Sequence, residues 1–252
     1  MRTLLAVTCT TALASLAAMP TRAQAAPGVT FTATTAVVMP PTFVQMRGGT
    51  PALRGTGIAA DGRVRVELDR AESTIDKLAA GDVLTSSNGG SVQMTRSGAA
   101  ATALTADLQD QLTSLTGQFG IDQISAPRVQ LIGPGEKIEG RATQHHRITG
   151  GYTLKGQGMV ASLVIDLWTV DLPVKFSNPL LNFGTAAAGS ASAVFEKPLG
   201  EAFRKIEGTC VKAVVTTSLT AHGTQFELVQ TTTLTDLKEG TIDLKKLAPP
   251  GK

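Results

Sequence analysis

Residues 53–69 read LRGTGIAADGRVRVELD, and this stretch decides the fold class. After Asp61-Gly62, the apolar Val64, Val66 and Leu68 alternate strictly with Arg63, Arg65, Glu67 and Asp69. A period of two places the first set on one face of a strand and the second on the other. Asp-Gly takes the positive φ angles of a two-residue hairpin at little cost, so residues 53–60 and 63–69 are expected to pair, with one face covered and one wet.

The same turn chemistry recurs at Asn88-Gly89, Gly150-Gly151 and His222-Gly223, each between β-rich runs, and predicts three further hairpins. Around His222-Gly223, residues 210–221 face residues 224–234, where Phe226 and Leu228 alternate with Gln225 and Glu227. Residues 152–174 differ. Leu163, Ile165 and Leu167 share one face and Val160, Val164 and Trp168 the other, a pattern expected of a central strand covered on both sides. Helical spacing is sparse. Leu108, Leu112, Leu115 and Phe119 follow Thr105 as an N-cap, and Leu199, Phe203 and Ile206 form a stripe between Pro198 and a stop at Gly208. Residues 178–192, rich in Gly, Ala and Ser, read as a mobile loop.

Residues 1–25 read as a signal peptide: Arg2 is the positive n-region, residues 4–18 the apolar h-region, and Ala23-Gln24-Ala25 a small-x-small cleavage site. Export to the periplasm or beyond is the expectation, with residues 26–252 as a single β-rich domain. Removing Arg2 and Arg22 leaves 21 Lys and Arg against 20 Asp and Glu, a net charge of +1. So balanced a chain offers no basic footprint for nucleic acid or an anionic membrane. Cys9 leaves with the leader, so Cys210 has no partner for an intramolecular disulfide and reads as a buried, inert thiol. Residues 159–174, the most hydrophobic run, are interrupted by Asp166 and Asp171, so no transmembrane segment is expected after cleavage and the mature chain is expected to be soluble.

Catalytic motifs are scarce. Gly55-x-Gly57-x-x-Ala60 has the loose form of a dinucleotide fingerprint, but Asp61-Gly62 and a charged strand follow where a helix N-terminus is needed. His145 and His146 are neighbours and point to opposite faces of a strand, so they cannot share one metal ion. His222 is a turn residue. Glu67, Asp69, Glu72 and Asp76 alternate with Arg65, Arg70 and Lys77, as on a solvated face laced with ion pairs rather than in a cation site. No catalytic residue, metal ligand or cofactor site is assigned, and an enzyme is not expected.

Several segments in order carry a resemblance: Arg63-Val-Arg-Val-Glu67, Gly81-Asp-Val-Leu-Thr85 with Asn88-Gly-Gly90, His145-His-Arg-Ile-Thr149, Leu167-Trp-Thr-Val-Asp-Leu-Pro173, Gly208-Thr-Cys-Val-Lys212, Thr231-Thr-Thr-Leu-Thr235 and the closing Leu247-Ala-Pro-Pro-Gly-Lys252. Over residues 31–252 the chain resembles uncharacterised secreted bacterial proteins akin to the LolA-like periplasmic lipoprotein carriers. The resemblance implies an α+β, β-rich fold: a curved antiparallel sheet, or half-barrel, with two or three short helices packed on its concave apolar face, where such carriers hold an acyl chain. The mature chain has few aromatic residues, and the family supplies no site residues to carry across.

The functional expectation is a non-enzymatic carrier of a lipid-like or apolar small molecule in the cell envelope, with Leu163, Ile165, Leu167, Trp168, Phe226 and Leu228 as the wall of its site. The same residues also suit a filled core. Two other classes stay open: an envelope interaction module using exposed strand edges, and a secreted hydrolase in which a histidine meets a carboxylate and a hydroxyl.

Overall fold

The computed structural model of the chain describes residues 25–72, 78–87, 92–96, 102–103, 121–154, 159–181, 201–221 and 224–248. Residues 1–24 of the predicted leader, the Asn88-Gly89 turn, Asp76 and Lys77, the helix after Thr105, Pro198 and Leu199, and His222-Gly223 lie outside these residues.

Eleven strands among the described residues form one antiparallel sheet. The first six are β1 (Ala25–Val38), β2 (Ala52–Ala60), β3 (Arg63–Glu72), β4 (Val83–Ser87), β5 (Gln93–Thr95) and β6 (Thr102–Ala103). The other five are β7 (Ile121–Pro134), β8 (Gln144–Leu154), β9 (Met159–Val170), β10 (Thr209–Ala221) and β11 (Thr224–Asp243). Their spatial order, β6-β5-β4-β3-β2-β1-β11-β10-β9-β8-β7, describes two meanders joined at β1 and β11. The chain starts mid-sheet, runs out to one edge, resumes at the other and returns to its own beginning. The sheet is not closed into a barrel, since β6 and β7 are its two ends. Helix is limited: α1 (Pro41–Arg47), single turns at 179–181 and 201–204, and a 3-10 helix at Leu244–Leu247 whose cap Asp243 accepts from the Lys245 N–H at 2.9 Å. No helix among the described residues is long and apolar enough to cross a membrane.

Alternation sorts the side chains as expected around Asp61-Gly62. Both turn residues have positive φ, 52° and 67°, and Val64, Val66 and Leu68 are buried at 2%, 0% and 1% exposure while their neighbours face out. Arg65–Glu67, Arg70–Glu72 and Arg54–Asp69 are ion pairs on that outward face. The strands around His222-Gly223 also pair as expected, from Ala221 opposite Thr224 inward. Gly150-Gly151 is a correction: it is not a turn. β8 runs straight through it, with Gly150 opposite Leu163 and Gly151 opposite Ser162. A Cβ on Gly151 would lie 2.8 Å from the Ala161 carbonyl oxygen, so this glycine permits a close strand approach rather than a reversal.

The buried rows form a core face covered by the β9–β10 connection. Leu172, Phe176 and Leu180 cover Val29, Phe31, Val66 and Leu234, with the Phe31 and Phe176 rings stacked 5.1 Å apart. Ala202, Phe203 and Ile206 cover Ile148, Ile165, Leu167 and Val215. The helical stripe expected over 198–207 is thus present where described, and Gly208, at φ 82°, turns the chain into β10. Residues 178–181, expected to begin a loop, are instead anchored: Asn178 is buried and its Oδ1 accepts from the Leu180 N–H at 3.0 Å.

Gly57 occupies the site beneath Phe31. A Cβ there would stand 2.2 Å from Phe31 Cε2, so Gly57→Ala must displace the ring and its stack on Phe176. The expected loss is about 1–3 kcal/mol, the usual cost of overpacking. Gly240→Ala, where a Cβ meets nothing within 4 Å, is expected to change stability by less than about 0.5 kcal/mol. Urea unfolding of both variants checks this; equal losses would show that the Phe31 ring is not the cause.

Candidate functional site

Of the six residues expected to form an apolar wall, the register gathers five on the core face. Leu167 and Ile165 of β9 stand opposite Ala213 and Val215 of β10, and Leu163 stands opposite Thr217, which in turn faces Leu228 of β11. Phe226 stands opposite Leu219, one row closer to the β10–β11 turn. Burial is graded along these rows. Ile165 and Leu167 are each 1% exposed beneath the 201–206 segment, whereas Leu163, Phe226 and Leu228 are only half-buried. The apolar surface therefore continues beyond the described cover toward the turn end of β9, β10 and β11.

Trp168 is elsewhere. It lies on the opposite, outer face, between His145 of β8 and Lys212 of β10, its register partners on either side. The His145 and Trp168 rings stack at 4.6 Å with planes 2° apart, and the Lys212 ammonium sits 4.8 Å from the indole centroid. Both flanks of the indole are thus occupied within the sheet, and cation–π attraction holds one of them. The expected apolar covering of this face is not what the strands provide: Val160 is 48% exposed, and the row containing Asp166 is ionic. Trp168 itself is half-buried and packs against the hydrophobic cluster that includes Ile138 and Val170, with polar cross-strand neighbours that spacing within β9 does not report.

The ionic row centres on Asp166. Its Oδ1 accepts from Arg147 Nε at 2.8 Å and lies 2.7 Å from His145 Nε2, and its Oδ2 accepts from Arg147 Nη2 at 3.1 Å. Burial pushes this carboxyl up, but the bonds from Arg147 and His145 outweigh it and hold the group below its ordinary 3.8. His146, one residue from His145, points to the core face opposite Leu131 and Leu167. Burial, reinforced by His145 and opposed by Glu207, lowers it below 6.5. The two imidazoles are on opposite faces, as alternation requires. His145 thus meets a carboxylate, yet among the described residues no hydroxyl bonds to it, leaving two members of a triad without a nucleophile.

Cys210 lies near the start of β10 with its Sγ donating to the Lys212 carbonyl at 3.1 Å, and burial pushes its thiol up to about 12. At neutral pH it is a protonated, weakly nucleophilic group. Among the described residues no three His, Cys, Asp or Glu side chains are placed to hold a metal ion. Asp82 is held below 3.8 in the same way as Asp166: burial raises it, and the bidentate Arg96 bonds at 3.0 Å and the Ala79 N–H prevail. Compared with family models, curated proteins and solved structures, the chain finds no match.

These shifts set the acid response. His146 has a folded pKa below 6.5, so the unfolded chain takes up that proton first and stability falls as pH drops through 6.5. Asp166 and Asp82 have folded values below 3.8, so their contribution is present above 3.8 and is lost as pH falls through the folded values. Urea midpoints across the acid range are expected to fall in two stages. His146→Gln should remove much of the upper stage and Asp166→Asn should flatten the lower; a single stage untouched by either change would refute the assignment.

Proposed function

We propose that the protein is an exported, non-enzymatic carrier that shelters an apolar, lipid-like molecule against the core face of its sheet, in the periplasm or outside the cell. The observation that carries this reading is the graded burial of the apolar positions along one face of the sheet. Ile165 and Leu167 are closed off, while Leu163, Leu228 and Phe226 continue the same face half-buried toward the β10–β11 turn. Apolar surface left partly wet at one end of an otherwise covered face is where a hydrocarbon chain gains most from leaving water, roughly 25 cal/mol per Å² buried. The described parts of the β9–β10 connection, residues 171–181 and 201–208, pack side chains onto that face. Export rests on residues 1–25, whose cleavage after Ala25 leaves β1 to begin at Ala26, paired with Ile242. In this reading the sheet is a curved half-barrel of the LolA-like kind. Trp168 is no part of the wall.

Native purification followed by mass spectrometry of an organic extract is expected to yield an acyl-chain compound, and an intact mass beginning at Ala26. Leu228→Asp, on a half-buried position, should weaken displacement of a fluorescent fatty acid at least tenfold while leaving the unfolding free energy from urea titration within about 1 kcal/mol of the parent. A clean extract together with no saturable fatty-acid binding would falsify the carrier reading. A second reading, an envelope interaction module, is favoured by one feature: Leu131 and Ile132 on edge strand β7 are 60% and 45% exposed.

A further inference from the structure

The outer face carries a second concavity, unrelated to the apolar wall. It is an open groove of about 600 Å³ between the sheet and the C-terminal 3-10 helix, within the usual size range of small-molecule sites. The helix is held in place by Leu247, which packs with Ala60 and Ile242, and the Lys246 carbonyl accepts from Arg65 Nη1 at 3.1 Å. The groove's floor combines three threonines with Phe31, Gly57 and Ile58. Thr30, Thr32 and Thr56 share the outward side of β1 and β2, where Thr30 faces Ile58 and Thr32 faces Thr56.

Three cationic side chains from three separate elements line this floor: Arg65 of β3, Lys238 of β11 and Lys246 of the 3-10 helix. Only Arg65 has a carboxylate partner, Glu67 at 3.2 Å; among the described residues neither lysine has one. The Arg65 guanidinium is held by the Lys246 carbonyl and by Glu67, so its charge is fixed at the edge of the groove. Two carboxylates complete the lining, Glu67 and Asp236, the second accepting from Thr32 at 3.0 Å. The groove therefore has a net positive charge and also holds acceptors and hydroxyls.

That mixture selects a chemistry. A bare anion needs only the cations, and a neutral sugar needs only hydroxyls and carboxylates. We propose that this groove binds an anionic saccharide: hydroxyl groups meet Thr30, Thr56, Asp236 and Glu67, and one phosphate or carboxylate lies between Lys238 and Lys246. The site is on the face opposite the apolar wall, so it stands whether or not a lipid is carried.

Isothermal titration of the purified protein with glucose 6-phosphate and with glucuronate tests this, with glucose and inorganic phosphate as comparison arms. The expected result is saturable binding of at least one anionic sugar, at least tenfold tighter than glucose or phosphate and weakening as salt is raised. The double variant Lys238→Glu, Lys246→Glu should lower that affinity at least tenfold. Both lysines are exposed, and Lys246→Gln alone, expected to give a smaller loss, serves if the double variant does not fold. Absence of saturable binding for both anionic sugars overturns the proposal. So does phosphate binding as tightly as the sugars, or affinity unchanged in folded variants.

Discussion

The pairing of β1 with β11 is the interaction on which the rest of the sheet depends. Each meander is built from neighbours in sequence, and the two halves are joined as one sheet by the strand pairing of residues 25–38 with residues 229–243. Their contacts span about two hundred residues, as in the buried Thr35–Thr232 hydroxyl pair at 2.9 Å, 197 positions apart in the chain. Loop closure over that distance costs only slightly more than over half of it, because the entropy grows with the logarithm of length. The penalty is mainly kinetic, since non-local strands pair late.

The seam is also irregular, and the irregularity is supported. The register shifts between Thr30 and Thr32, where Asp236 takes a φ of 55°. The bulge leaves the N–H groups of Asp236 and Leu237 without strand partners, and Glu139 from the β7–β8 connection accepts both, at 2.7 and 3.0 Å. An orphaned backbone donor is expensive, and a carboxylate satisfies two of them with charge-assisted bonds. By turning Leu237 into the core and Asp236 toward Thr32, the bulge helps shape both faces: the apolar cluster on one, the polar groove on the other.

Much of the local structure was legible. Asp61-Gly62 and the alternation of Val64, Val66 and Leu68 specified a hairpin and its wet face, because φ preference and pleat period are properties of the residues themselves. His145 and His146 were separable for the same reason. Gly150-Gly151 was misread because a glycine pair has two physical uses, reversal and close approach, and only the carbonyl of Ala161 in the neighbouring strand distinguishes them. For the candidate wall, the faces of Leu163, Ile165, Leu167, Phe226 and Leu228 followed from alternation. Trp168 fell on the other face by the same rule, yet its surroundings were misjudged: His145 and Lys212 reach it from strands whose register the sequence does not display.

The sequence by itself determined the hairpin at Asp61-Gly62, the pairing of the strands that flank His222-Gly223 and the sidedness of the alternating strands, since these follow from torsional preference and a period of two within a few residues. Only the tertiary structure decided which strands are neighbours, which half of the apolar face is capped, and that Arg65 meets the Lys246 carbonyl from 181 residues away. The physical reason is that register between distant strands is fixed by the fit of whole faces and by bulges such as that at Asp236. No short run of residues encodes that fit.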